Sequence, residues 1–220
     1  EQAIHHYERV FRIQPEALAC DLHPDYLATR YAQARSRAES LPLVAVQHHH
    51  AHIASCLAEN GWASPEPVIG LAYDGTGYGT DGSIWGGEIL IASYKEFTRR
   101  FHLTQLPLPG GELAVRKPAR MALSYLLAAG IDLEDQTLAS VAYLTPAEAQ
   151  AVRHQARTGF NAPLTSSMGR LFDAVAALIG LCEEISYEAQ AAMMLESAAD
   201  PQESGFYEMP LENDIIDPLP

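Results

Sequence analysis

Six residues, Gln47-His48-His49-His50-Ala51-His52, constrain this chain more than any others. They follow a short apolar run, Leu43-Val44-Ala45-Val46, and open a helical pattern that runs from Ile53 to Asn60. The segment therefore reads as a strand feeding a helix whose first turn is crowded with imidazoles. His48 and His52 are four apart and lie one above the other on one helix face. That spacing can clamp one metal ion between two imidazole nitrogens. The first turn of a helix also offers N–H groups that suit an anion. A metal and an anion at one place point to phosphate or carboxyl chemistry. His49 and His50 point elsewhere round the helix, and His49 is the one expected to reach a substrate. Two imidazoles leave a metal open. Asp74, at the carboxyl end of a buried strand pattern, is the candidate third ligand, set against the plainer role of capping the turn that follows it.

The length of 220 residues fits one large domain or two small ones. With 28 acidic and 14 basic residues the formal net charge is -14, which argues against direct binding to nucleic acid. No apolar run approaches the roughly 20 residues needed to span a bilayer, and Glu1-Gln2-Ala3 does not begin a signal peptide. Cys20, Cys56 and Cys182 are far apart, with no CxxC pair, and read as reduced thiols in a cytoplasmic protein. Both ends look cut. Glu1 starts inside an amphipathic pattern (Ile4, Tyr7, Val10, Phe11), and the acidic, proline-bearing tail from Glu203 to Pro220 shows no helix or strand to dock it. The expectation is a piece of a larger protein.

Periodicity predicts a helix over 1–13, a short strand ending at Asp21, and a helix opened by Pro24 and running to about Ser40. A strand over 43–47 and the histidine helix over 48–60 follow. Residues 67–73 read as a buried strand ending at a glycine-rich turn, Asp74 to Gly82. Strands over 83–94 and 97–104 come next, then a loop over 105–117. Helices are expected over 119–129, 146–158, 169–180 and 187–199. Because a strand, not a helix, follows the glycine turn, this is not a dinucleotide-binding fingerprint. It is not a calcium loop either, since the twelfth residue from Asp74 is Trp85 and not a carboxylate. The mixture points to α/β architecture with more than one layer.

Three further segments carry chemistry. Gly75, Thr76 and Gly77 can let backbone N–H groups approach a phosphate, or simply form a hairpin. Arg116 and Lys117 open a helix, where positive charge opposes the dipole, and so point to an anionic ligand or a solvated basic turn. In Thr165-Ser166-Ser167-Met168-Gly169-Arg170-Leu171-Phe172-Asp173 the serines can cap a helix, Gly169 admits a ligand to its first turn, and Asp173 lies one turn on, placed for a ribose hydroxyl. By spacing alone this is a capped helix.

Taken in order, Asp21-Leu22-His23-Pro24, the histidine segment, Asp74-Gly75-Thr76-Gly77, Pro109-Gly110-Gly111, Gly169 to Asp173 and Tyr187-Glu188-Ala189-Gln190-Ala191-Ala192 resemble the HypF family. These are the carbamoyltransferases that mature [NiFe]-hydrogenases, and the resemblance is to the domain they share with the tRNA threonylcarbamoyladenosine enzymes. It implies an actin/Hsp70-like ATPase (ASKHA) fold, a mixed sheet flanked by helices, here incomplete at both ends. Residues 1–117 would be part of the first lobe with the histidine helix. Residues 118–199 would be the helical, nucleotide-facing part of the second lobe, and 200–220 a tail leading to a missing part. The first phosphate loop and a late aspartate of the family are not found.

The resemblance implies one divalent metal, iron or zinc, on His48 and His52, with Asp74 at an additional acidic position. It implies ATP as the other cofactor. Gly169, Arg170 and Asp173 match nucleotide-facing positions, and Glu188 and Gln190 the adenosine side. Gly75, Gly77, Gly110 and Gly111 are expected near phosphate, Lys117 and Arg116 to balance its charge, and Glu112 stands where the family has Asp. The implied reaction joins ATP and carbamate, derived from carbamoyl phosphate, into carbamoyl-adenylate. The carbamoyl group then passes to the C-terminal cysteine thiolate of a HypE-type acceptor protein. The alternatives are a tRNA threonylcarbamoyladenosine-type transferase, disfavoured by Ser166-Ser167-Met168 and the triple histidine, an antibiotic-type O-carbamoyltransferase, and a non-catalytic metal- or nucleotide-binding module.

Overall fold

Two strand–helix units come first, and they explain why the histidines lie where they do. The structure, a computed structural model, describes residues 1–131 and 138–219. α1 (Gln2–Phe11) precedes β1 (Leu18–Asp21), α2 (Leu27–Glu39), β2 (Leu43–Val46) and α3 (His48–Glu59). β1 pairs with β2 in parallel, from Leu18 beside Leu43 to Asp21 beside Val46. Parallel neighbours need a crossover, which α2 supplies. The carboxyl ends of both strands therefore meet, and Asp21 arrives beside the residue that starts α3. α2 begins at Leu27, not at the expected Pro24. The intervening turn is held by Asp21, whose Oδ1 accepts from His23 N–H at 2.7 Å. α1 buries none of its residues and is tied to α2 by the Glu8–Arg35 ion pair at 2.6 Å.

β3 (Val68–Tyr78), β4 (Ile84–Ala92) and β5 (Phe97–Leu103) form an antiparallel meander. The expected glycine-rich turn after Tyr73 is instead a bulge inside β3. The ladder with β4 passes from Tyr73/Gly87 to Gly77/Trp85, so Asp74, Gly75 and Thr76 face the single residue Gly86. A bulge of this kind bends the strand and re-aims its side chains. β6 (Leu106–Pro107), α4 (Glu112–Arg116), α5 (Pro118–Ala128), α6 (Ala139–Tyr143), α7 (Pro146–Thr158), β7 (Leu164–Thr165), α8 (Met168–Leu178) and α9 (Gln190–Ala198) follow. The 105–117 segment is thus not wholly a loop.

The tail also differs from expectation. β8 (Leu211–Glu212) and β9 (Ile215–Ile216) form a hairpin, and β9 pairs in parallel with β5 at His102 and Leu103. Asn213 and Asp214 both take positive φ, 49° and 69°, which is the backbone of a two-residue hairpin turn. The seven-stranded sheet runs β6-β7-β4-β5-β9-β8, with β3 on β4, and is mixed because β7 and β9 join in parallel.

α3 packs on one sheet face through Ile53, Ala72, Trp85, Leu90 and Ala92. The helical layer has its own apolar clusters, one of Ala119, Leu123, Leu126, Val141, Leu144, Ala149 and Val152, another joining Met121, Tyr125 and Ala174 to Leu106 and Leu108, and a third of Ala176, Cys182 and Ala191. α5 is buried from Pro118 through Leu126, as befits a helix apolar on nearly every face. Among the described residues no helix is long and apolar enough to cross a membrane.

Candidate functional site

Gln47 sets the start of α3. Its side chain accepts from His50 N–H at 2.9 Å and donates to the Tyr78 carbonyl at 3.2 Å. With the first turn fixed, His48 and His52 bring their Nε2 atoms to 3.2 Å of each other. The β3 bulge carries Asp74 to the same point. Its Oδ2 lies 3.1 Å from His48 Nε2, 3.6 Å from His49 Nε2 and 3.7 Å from His52 Nε2. One ligating atom from each of His48, His52 and Asp74 falls within a span of 4.8 Å. Asp74 Oδ1 is engaged by the Gly75 N–H at 2.6 Å, whereas Oδ2 is buried with no hydrogen-bond partner among the described residues. Two imidazole nitrogens and an unpartnered carboxylate oxygen converging on one point fit a divalent cation.

The tautomers follow from the partners. Asp21 Oδ2 accepts from His48 Nδ1 at 2.7 Å, which leaves the Nε2 lone pair facing Asp74 and His52. Gln47 Nε2 lies 3.2 Å from His49 Nδ1, so His49 carries its proton on Nε2, toward Asp74. Burial pushes the His49 pKa down to about 4 against the pull of Asp74, and the ring is neutral at pH 7. His49 is fully buried, stacked near Trp85 at 6.2 Å between ring centres, and so backs Asp74 instead of reaching a substrate as expected. His50 is also buried and bonds the Ser93 carbonyl at 2.7 Å. Asp21 had no assigned role in the sequence. Its relation to His48 depends on the parallel register of β1 and β2.

Beyond the histidines opens a cleft of about 580 Å³. Tyr26, His48, His52, Tyr73, Asp74, Gly75 and Thr76 line one side, and Met168, Gly169, Arg170, Phe172, Asp173 and Glu188 the other. The two sides are joined by Ser167. Its hydroxyl lies 2.8 and 2.7 Å from the Asp74 and Gly75 carbonyls, and caps α8 by accepting from Arg170 N–H at 3.2 Å. Gly169 is required by packing, since a Cβ there would stand 2.8 Å from Gly75 Cα. Arg170 and Asp173 are buried, with Nη2 and Oδ2 2.9 Å apart but not aligned as a hydrogen bond. Burial raises the Asp173 pKa to about 6, with Arg170 opposing. Arg170 Nε and Nη1 have no hydrogen-bond partner among the described residues. An N-terminal helix turn beside a partly unpaired guanidinium favours an anion.

Several expected residues lie elsewhere. Lys117 bonds Glu148 at 2.8 Å and holds that carboxyl down to about 2, and Arg116 bonds Glu112 at 2.6 Å. Neither lines the cleft, so the basic turn is balanced by this chain's own acids. Gly110 and Gly111 take positive φ in the turn before α4, with Gly110 against buried Arg120. Gly77 meets the His49 ring, because an added Cβ would lie 2.4 Å from its Cε1, and has no room for a phosphate on that side. Gln190 accepts from Ser186 N–H at 2.7 Å, fixing the entrance to α9, and of the adenosine-side pair only Glu188 borders the cleft.

A family model described as "Carbamoyltransferase, Kae1-like Domain, second subdomain" matches residues 70–220, and one described as "HypF Kae1-like domain" matches residues 1–59. The chain is 48% identical over 199 residues to carbamoyltransferase HypF2 of Cupriavidus necator, covering 90% of this chain and 24% of that protein. It is 46% identical over 224 residues to carbamoyltransferase HypF of Rhodobacter capsulatus, covering 100% of this chain and 29% of the relative. The chain thus spans about a quarter of the length of these relatives. A crystal structure of full-length HypF in the phosphate- and nucleotide-bound form matches 99% of this chain and 33% of that one, with a TM-score of 0.84 and 44% identity.

Proposed function

The chain belongs to the HypF carbamoyltransferase family, and on that premise we propose that it holds the carbamoyl-transfer site of a hydrogenase-maturation enzyme. In this reading the fold is the actin/Hsp70-like ATPase type, and the protein works in the cytoplasm. ATP occupies the cleft between the histidine helix and α8. A carbamate oxygen, supplied from carbamoyl phosphate, attacks the α-phosphorus, and pyrophosphate leaves. The resulting carbamoyl-adenylate is attacked at its carbonyl carbon by the C-terminal cysteine thiolate of a HypE-type acceptor, and AMP departs.

The observation that carries this reading is the convergence of His48, His52 and Asp74 at the wall of a cleft whose far side is the N-terminal turn of α8. A divalent metal, iron or zinc, held by these three side chains would supply Lewis acidity toward phosphate or carbamoyl oxygens. The chain's own residues do the remaining work. Asp21 keeps the His48 proton on Nδ1. Neutral His49 presents its N–H to Asp74 and adds no positive charge beside a cation. Arg170 and the first turn of α8 offer positive potential to phosphate.

Elemental analysis of the purified chain, with ATP calorimetry, tests the reading. About one iron or zinc per chain is expected, falling below detection in the His48→Ala/His52→Ala double variant. A folded wild-type chain that takes up neither metal nor ATP would sink it. Transfer of label from threonylcarbamoyl-adenylate to tRNA, in place of transfer from carbamoyl phosphate to a protein thiol, in the full-length protein, would move the assignment to the tRNA-modifying branch.

A further inference from the structure

Glu88 is a fully buried carboxylate in β4 that does not border the cleft. Every neighbour it bonds is a donor. Oε2 accepts the Gly86 and Gly87 N–H groups at 2.5 and 2.7 Å. Oε1 accepts the Ser166 hydroxyl at 2.5 Å and Arg99 Nη2 at 2.9 Å. The carboxylate therefore ties residues 86–87 of β4 to the segment that leads into α8.

Both tied segments bear on Asp74. Gly86 sits opposite the bulge at φ +154°, and a Cβ there would stand 2.4 Å from the Asp74 carbonyl oxygen. Ser167, next to Ser166, is hydrogen-bonded to that same carbonyl. A third path runs through the side chains. Arg99 lies 4.1 Å over the Trp85 ring, Trp85 stacks near His49, and His49 Nε2 faces Asp74 Oδ2. A buried ion pair is often replaceable by apolar side chains without loss of stability, so stability alone does not explain a four-donor carboxylate here. What this arrangement specifies is geometry.

We propose that Glu88 is a positioning residue that fixes the Asp74 carboxylate against His48 and His52, an inference that rests on the metal reading above. Glu88 itself touches none of the three. Glu88→Gln keeps the side chain's shape but points an amide N–H₂ at groups that are themselves donors, so residues 86–87 and 166 lose their common tie.

The test is a cobalt(II) titration of the whole chain, read by affinity and by the visible ligand-field bands. Folding is followed by circular dichroism. Wild type is expected to bind one cobalt. Glu88→Gln, still folded, is expected to bind about 10-fold more weakly with shifted bands, and Ser166→Ala to move the same way by less. Val152→Ala, in the distant helical core, should lower the melting temperature while leaving affinity and bands unchanged. Wild-type affinity and bands in folded Glu88→Gln would overturn the inference, as would an equal loss in Val152→Ala. If Glu88→Gln does not fold, Ser166→Ala decides. If neither folds, the carboxylate is structural only and the inference is overturned. Absence of cobalt binding by wild type would remove the metal reading itself, and the inference with it.

Discussion

The histidine helix and the α5–α7 layer both hold partly or fully buried charged and polar side chains, and they finish differently. In the α5–α7 layer Lys117 finds Glu148, and Arg120 finds the Pro109 carbonyl and Gln155. Thr145 and Glu148 close a capping box at the start of α7. These groups are consumed by the chain itself, and the buried Ser140 hydroxyl of α6 is the layer's exception among the described residues. Around α3, three side chains are likewise anchored at one end, with His48 on Asp21, His49 on Gln47 and Asp74 Oδ1 on Gly75 N–H. There, however, the other ends are left facing one another, and His49 Nε2 and Asp74 Oδ2 are buried without hydrogen-bond partners among the described residues. Anchoring on one side with unpaired atoms on the other is the mark of a site, because burying polar atoms unpaired costs free energy that only a ligand recovers.

If that contrast is right, substitutions in the two regions should separate stability from metal binding. The largest effect on stability belongs to the helical layer. Leu123→Ala, at a fully buried position, should cost about 2–5 kcal/mol in denaturant unfolding, with the metal affinity of the folded protein unchanged. Asp173 is the next largest. Its folded pKa of about 6 stands above the ordinary 3.8, so the folded state holds the proton more tightly than the unfolded one. Ionising it therefore costs stability, and the cost appears as pH rises from about 4 and is complete above about 6. A shift of this size is worth at most about 3 kcal/mol. The stability difference between wild type and Asp173→Asn, measured from pH 4 to 7, should widen in favour of the variant as pH rises. A flat difference would show that Arg170 fully compensates the charge.

On the other side of the comparison, Asp21→Asn should weaken metal binding about 10- to 100-fold while shifting the melting temperature little. Equal metal affinity by calorimetry would mean that the His48 tautomer is set by something other than Asp21. The smallest effect is expected for Thr145→Ala, which removes the α7 cap at a cost of about 1 kcal/mol. It should not alter metal binding, and if it did the two regions would be mechanically one.

Much of the fold was legible because its signals are local. Apolar spacing located α3, α5, α7 and α8 to within about two residues, and Pro118 at a first helical turn and Thr145-Pro146 before Glu148 are start signals that the structure uses as such. What was not legible depends on register or on distant partners. Asp74 to Thr76 read as a turn because a bulge is defined only by the strand opposite, and the glycines that mark it also mark hairpins. Asp21 was seen as part of a motif but given no role, since only the β1–β2 pairing brings it to His48. Lys117 looked free for phosphate because Glu148 lies 31 residues away in sequence. The Asn213-Asp214 turn was a local signal that the tail's acidity and prolines masked.

The pairing of β9 with β5 has a consequence for synthesis. Thr104 and Ile216 are 112 residues apart, so on a ribosome the β5 edge is exposed for roughly 5–20 s before its partner strand emerges. An open edge is a template on which another nascent chain can add a strand. Exposed Arg100 lies on β5, and its charge and bulk blunt that edge until the hairpin arrives. A tail that looks like an afterthought is thus the piece that closes an otherwise open sheet edge.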